Sequence, residues 1–166
     1  VSAEEAKQLG GTLTEFGATK AGNADGSIPA YTGGLTTPPP GFKPDSGFWV
    51  DPFKSDQPIL RIDAKNVDQH AAKLSEGQKA LLKRHPTYFL NVYKSHRTVA
   101  FPAKVLQATV RNATGCQALK EGLAVDPACR GGIPFPIPKT GYEAMWNQIL
   151  RYQGDTNIVT SASRSW

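Results

Sequence analysis

The 166-residue sequence has no apolar run near the ~20 residues that a membrane-spanning helix needs, and its mean hydropathy is −0.38, so such a helix is excluded. It has no heptad pattern, no collagen-like triplet and no internal repeat of fixed period, which sets aside coiled coils and solenoids. Hydrophobic residues make up only 39%, against ~45–50% in average chains when glycine is also counted. There is no long run of like charge. The densest basic group is Lys79, Lys83, Arg84 and Lys94, well short of a basic arm, so nucleic acid is not an expected partner. Cysteine is scarce, at two residues, and methionine occurs once. No nucleophile elbow, HExxH or P-loop pattern is present, and the three histidines, His70, His85 and His96, show no ligand spacing. The chain is therefore expected to be no enzyme and to hold no metal and no cofactor.

What is present is enough chain for one ordinary domain with a real core. Of the 16 glycines and 13 prolines, more than half fall in the first 60 residues. Residues 1–58 thus read as an extended, irregular leader and 59–166 as a helix and hairpin region. The leader carries Tyr31, Phe42, Phe48, Trp49 and Phe53, more aromatics than a true linker, and should wrap a surface. A formal net charge of +5 suits an anionic membrane surface, an anionic ligand or plain solubility.

Cys116 and Cys129 form no CxxC pair and have no histidine at zinc-ligand spacing. The segment between them contains Gly122 and Pro127 and can fold back on itself. A disulfide fits there, worth about 3 kcal/mol in the chain-entropy model, and points to an oxidising compartment. The opening Val1-Ser2-Ala3-Glu4-Glu5 has neither a charged nor an apolar signal segment, as in a mature chain after signal cleavage.

Ser2 with Glu5, Ser75 with Gln78 and Thr140 with Glu143 have capping-box spacing and predict three helix starts. Asn66 predicts a further helix to about Lys73, and Pro102 one that runs through Val105, Leu106, Thr109, Val110 and Ala113 to Gly115. Tyr88–Tyr93 reads as a strand with Arg97–Phe101 as its hairpin partner across Lys94-Ser95-His96, and Thr156–Thr160 as one more strand. Asn23-Ala24-Asp25-Gly26 reads as a tight turn, lacking the first carboxylate of a calcium loop. Asn112-Ala113-Thr114 is a formal glycosylation sequon.

Two groups of residues are candidates for binding. Ile133, Phe135 and Ile137 alternate with Pro134, Pro136 and Pro138, which forces an extended backbone and removes three donors. Beyond them, Met145, Trp146 and Ile149 share one face of the last helix. Together the six could line an apolar cavity or form core. His96 and Arg97 could meet an anion, with Arg97 as a forked donor, or simply be solvated.

Several segments in collinear order resemble one bacterial family. They are Leu9–Thr14 with Ala21–Leu35, Lys73–Leu81, His96-Arg97-Thr98, Gly131–Pro138 and Ala144–Asn147. The family is known as domain of unknown function 1329, and its members are often labelled outer-membrane lipoprotein-sorting proteins. The resemblance implies a periplasmic protein of Gram-negative bacteria with an α+β fold. Helices and the irregular leader would pack on part of a curved antiparallel sheet, a fragment of a LolA/LolB-like half-barrel. Members are much longer, so the chain is expected to be the N-terminal part of a larger domain. The implied function is a carrier for a hydrophobic ligand, a lipid or a lipoprotein acyl chain, with an inner-membrane lipid-exporting transporter as a partner. The alternative is a non-catalytic module that docks on a transporter or on the remainder of the chain. A hydrolase with a dispersed site is the third, least favoured reading.

Overall fold

The computed structural model describes residues 1–154. The fold is α+β: helices and two small antiparallel ladders, with no closed barrel among the described residues. The expected strand at Thr156–Thr160 lies outside them. The described residues form two compact units, one of residues 1–21 with 100–154 and one of residues 22–99.

In the first unit, helix α1 (Ala3–Ala6) starts with the full capping box: Ser2 Oγ accepts from the Glu5 backbone and Glu5 returns to the Ser2 amide. Helix α3 (Ala103–Gly115) starts after Pro102 and buries Val105, Ala108, Thr109, Asn112 and Ala113. Strands β3 (Ala118–Leu119) and β4 (Ala124–Val125) pair inside the loop that the Cys116–Cys129 disulfide closes. The bridge expected from the sequence is therefore formed, with Cα atoms 5.1 Å apart. Helix α4 (Gly141–Ile149) starts with Thr140 Oγ1 accepting from the Glu143 amide. It stops at Leu150, one turn before the glycine at 154 expected to end it. Buried Thr14 closes the loop to Ala18 through its amide and hydroxyl, and Gly17 at φ +86° lies against Pro136.

In the second unit, β1 (Leu60–Asp63) and β2 (Phe89–Val92) pair antiparallel, Leu60 opposite Val92 and Ile62 opposite Leu90. Ile62 of β1 joins Val67 and Leu82 at the centre of a small core, and Leu60, Leu90 and Val92 of the two strands pack against it. Val67 opens a 3-10 segment to Lys73, tighter than the expected α-helix. Asn66 does not cap it. Its side chain accepts from the Asp63 amide and donates to the Arg61 carbonyl instead. Helix α2 (Glu76–Arg84) has the expected Ser75–Gln78 box and ends at His85, before Pro86.

The hairpin expected from Arg97–Phe101 does not form. Strand β2 pairs with β1, a four-residue segment too short to stand out by its pattern. Residues after His96 are taken by the leader: the Leu35 amide donates to the Thr98 carbonyl at 2.9 Å, and Tyr31 Oη donates to the Val99 carbonyl at 2.8 Å. Gly34 permits this approach, since a Cβ there would sit 2.2 Å from the Val99 oxygen. The leader's aromatics divide. Tyr31 and Phe53 are anchored, whereas Phe48 and Trp49 are 82% and 90% exposed, Trp49 stacking only on its leader neighbour Phe42.

Candidate functional site

The proline run is the centre of the first unit. Pro134 and Phe135 are buried, and Ile133 and Ile137 half-buried. Proline supplies no amide, so the run depends on side chains for its remaining polar groups. The Ile133 amide donates to Thr109 Oγ1 at 2.9 Å, and its carbonyl accepts from Asn112 Nδ2 at 3.2 Å. The Phe135 amide donates to Asn147 Oδ1 at 2.9 Å, and its carbonyl accepts from Asn147 Nδ2 at 2.7 Å. Two helices thus hold the run by alternate residues. Thr109 also donates to the Val105 carbonyl at 2.8 Å, so both hydroxyl roles are used.

Helix α4 is fixed by the same contacts and by Trp146 Nε1, which donates to the Gly122 carbonyl at 2.8 Å. Gly122, at φ +95°, lies so close to the Tyr142 ring that a Cβ would come within 2.7 Å. Beside these bonds Tyr142, Met145 and Ile149 remain partly open to solvent, at 48%, 46% and 52% exposed.

The six apolar residues singled out from the sequence therefore divide. Phe135 belongs to the core, Ile133, Ile137 and Trp146 are half-buried, and Met145 and Ile149 face out. Sequence reasoning missed Thr109, Asn112 and Asn147. Asn112 was legible only as a glycosylation sequon, and burial at 4% exposure closes that use. The one available signal was its place on the inward face of α3, where a polar residue needs a buried partner.

The His96–Arg97 pair is occupied internally. His96 Nε2 meets Asp56 Oδ2 at 2.5 Å, and its ring stacks on Phe53 at 3.8 Å. Arg97 reaches the Pro29 carbonyl at 3.4 Å and lies over the Tyr31 ring. The Asp56 carboxylate stands where an anion would approach His96. Asn23–Gly26 forms the expected turn, with the Asn23 carbonyl oxygen of the side chain accepting from Ile28. Asp25 is held below the ordinary carboxylate value, chiefly by the Ser27 hydroxyl that donates to it.

An open groove of about 750 Å³ runs beside α3, lined by Lys104, Gln107 and Arg111, the Gly131-Gly132 backbone, and Tyr152. None of the six apolar residues is part of its lining.

The family model described as protein of unknown function (DUF1329) matches residues 61–165. The chain belongs to the DUF1329 family. An uncharacterized protein of Pseudomonas aeruginosa is 48% identical over 98% of the chain. The chain spans 36% of the length of that relative. No solved structure gives a significant match. Among the described residues no helix is long and apolar enough to cross a membrane.

Proposed function

We propose that the chain is part of a periplasmic carrier for a hydrophobic ligand, a lipid or the acyl chain of a lipoprotein, and that it binds this ligand without transforming it. The architecture proposed for the whole carrier is a LolA/LolB-like half-barrel. The observation that carries this reading is the half-exposed apolar row Tyr142, Met145 and Ile149 on α4, a helix held in place by the hydrogen bonds of Asn147 and Trp146. A rigid helix with an exposed apolar row is suited to cover an alkyl chain, and Met145 adapts its shape to one. The Cys116–Cys129 bridge supports an oxidising compartment.

A second reading rests on the 36% coverage of the Pseudomonas relative. In a protein of that length, the same row would meet other parts of the polypeptide or a transporter, and the chain would be an interaction module. Purification from a Gram-negative host, followed by solvent extraction and native mass spectrometry, separates the two. Co-purified lipid, released when Met145 and Ile149 are both changed to Ser, supports the carrier. Absence of lipid, with binding of a fluorescent fatty acid unchanged in that variant, refutes it and leaves the interaction module.

A further inference from the structure

Three consecutive residues at the tip of the β3–β4 hairpin, Lys120, Glu121 and Gly122, have φ of +50°, +58° and +95°. Glycine enters this left-handed region freely, but Lys120 and Glu121 each bring a Cβ too close to the following carbonyl oxygen. Both side chains are exposed, so their own packing does not hold them there. The strands below the tip pair over two rungs, Ala118 opposite Val125 and Leu119 opposite Ala124. A two-stranded ladder so short is not stable by itself. The hairpin is therefore held from outside the ladder, and it is held at two places.

At its base, the Cys116–Cys129 disulfide closes the loop directly after α3, where the Cys116 amide donates to the Asn112 carbonyl at 2.9 Å. At its tip, Trp146 Nε1 of α4 donates to the Gly122 carbonyl at 2.8 Å, and the Tyr142 ring lies against Gly122. The hairpin thus supplies one tether of α4, and Asn147 on the Phe135 backbone supplies another. The two tethers differ in their support. Phe135 is buried in the core of the first unit. The Gly122 carbonyl sits on a short, strained turn whose ends are joined by a reducible bond. Both cysteines are half-buried rather than sealed in the core, which leaves the bridge open to an attacking thiolate. Backbone strain of this kind concentrates at switching elements.

We infer that the disulfide-closed hairpin is a redox-sensitive clasp on α4: bridged, it holds Trp146 and keeps the row Tyr142, Met145 and Ile149 in its binding form; reduced, its tip relaxes, frees the indole and lowers the affinity of the row for an alkyl chain. The reductant is a dithiol. Its thiolate attacks one sulfur of the bridge, the S–S bond breaks, and one cysteine leaves as a thiolate. The second thiol of the reductant then resolves the mixed disulfide and releases the other cysteine. Two electrons pass to the bridge, the two thiol protons end on Cys116 and Cys129, and the reductant becomes a disulfide. The effect on the alkyl chain rests on the carrier reading; the hold on Trp146 does not.

The test uses Trp49→Phe/Trp166→Phe as the parent, which leaves Trp146 as the sole indole. Acrylamide quenching of its fluorescence and binding of a fluorescent fatty acid are measured before and after dithiothreitol, with thiol labelling to confirm reduction. Reduction should raise the quenching and weaken fatty-acid binding by about fivefold or more, in the range of ordinary coupling between sites, with the helical circular dichroism retained. Cys116→Ser/Cys129→Ser should show the same state without reductant. Lys120→Gly/Glu121→Gly removes the steric cost at the tip, so both readouts should respond less to reduction in that variant. A bridge that acted as a simple staple would give the variant and the parent the same response, and that result overturns the inference. Quenching unchanged after complete reduction overturns it as well, as does loss of the helical signal, since the bridge then holds the whole unit. A quenching response with unchanged fatty-acid affinity also overturns it, because the clasp then does not govern the row. A quenching response in a protein that binds no fatty acid in either state refutes the carrier reading and leaves a clasp that acts on α4 alone.

Discussion

Asn147 holds Phe135 by both backbone polar groups, accepting from its amide at 2.9 Å and donating to its carbonyl at 2.7 Å. The pairing resembles one rung of an antiparallel ladder, with a side-chain amide in place of the second strand. It is needed because Pro134 and Pro136 cannot take part in a ladder. Helix α4 and the proline run therefore position each other, and the outward row on α4 is rigid as a consequence.

Asn147→Ala leaves the Phe135 amide and carbonyl without partners. With a buried unsatisfied group costing about 1–3 kcal/mol, the variant should be about 2–4 kcal/mol less stable in urea unfolding. Asn147→Asp restores the acceptor but not the donor, so it should recover only part of the loss. A variant as stable as the parent would show that the pairing contributes nothing.

Gly17→Ala tests the seat of the N-terminal loop. The new Cβ would lie 1.7 Å from the Pro136 oxygen, at a residue with φ +86°. Backbone must move, so a loss of at least about 3 kcal/mol is expected, with residues 12–20 becoming the first site of protease cleavage. Gly26→Ala, where nothing lies within 4 Å, is the control for left-handed strain alone.

Reduction of Cys116–Cys129, a bond that spans a sequence separation of 13, should cost about 3 kcal/mol in the chain-entropy model. Thiol labelling of the denatured, unreduced protein should find no free cysteine. Two reactive thiols would refute the bridge.

Glu5 predicts an acid-sensitive tether for α1. The Lys139 ammonium, with the Ser2 amide and hydroxyl, lowers its carboxyl from the ordinary 4.5 to about 2. A lowered folded-state value means that the ionised form stabilises the fold above 4.5 and that this contribution disappears as pH falls from about 4.5 to about 2. Glu5→Gln should flatten the stability profile in that window and leave it unchanged at neutral pH except for the lost ion pair. An identical slope in the variant would place the acid sensitivity elsewhere.

Local chemistry was legible where it is decided within one turn of chain. The Ser2–Glu5, Ser75–Gln78 and Thr140–Glu143 spacings each mark a real helix start, because a cap needs only a hydroxyl and an amide three residues apart. The bridge of Cys116 to Cys129 was legible because the intervening chain is short and can turn. The β2 partner was not. Arg97–Phe101 is the nearer and more apolar choice, yet the leader's Leu35 and Tyr31 capture it from far along the sequence.

The sequence by itself determined the extended proline run, since ring closure fixes φ and removes the amide wherever proline stands. It also determined that α4 has an apolar face, a matter of helical spacing alone. Only the tertiary structure decided which way that face points. Asn147 pairs with the Phe135 backbone and Trp146 donates to the Gly122 carbonyl, partners 12 and 24 residues away, and in this setting Met145 and Ile149 are left half-exposed. The groove beside α3 was decided in the same way. Its cations lie on one helix, but its other wall comes from glycines brought back by a disulfide, and no local pattern encodes that distance.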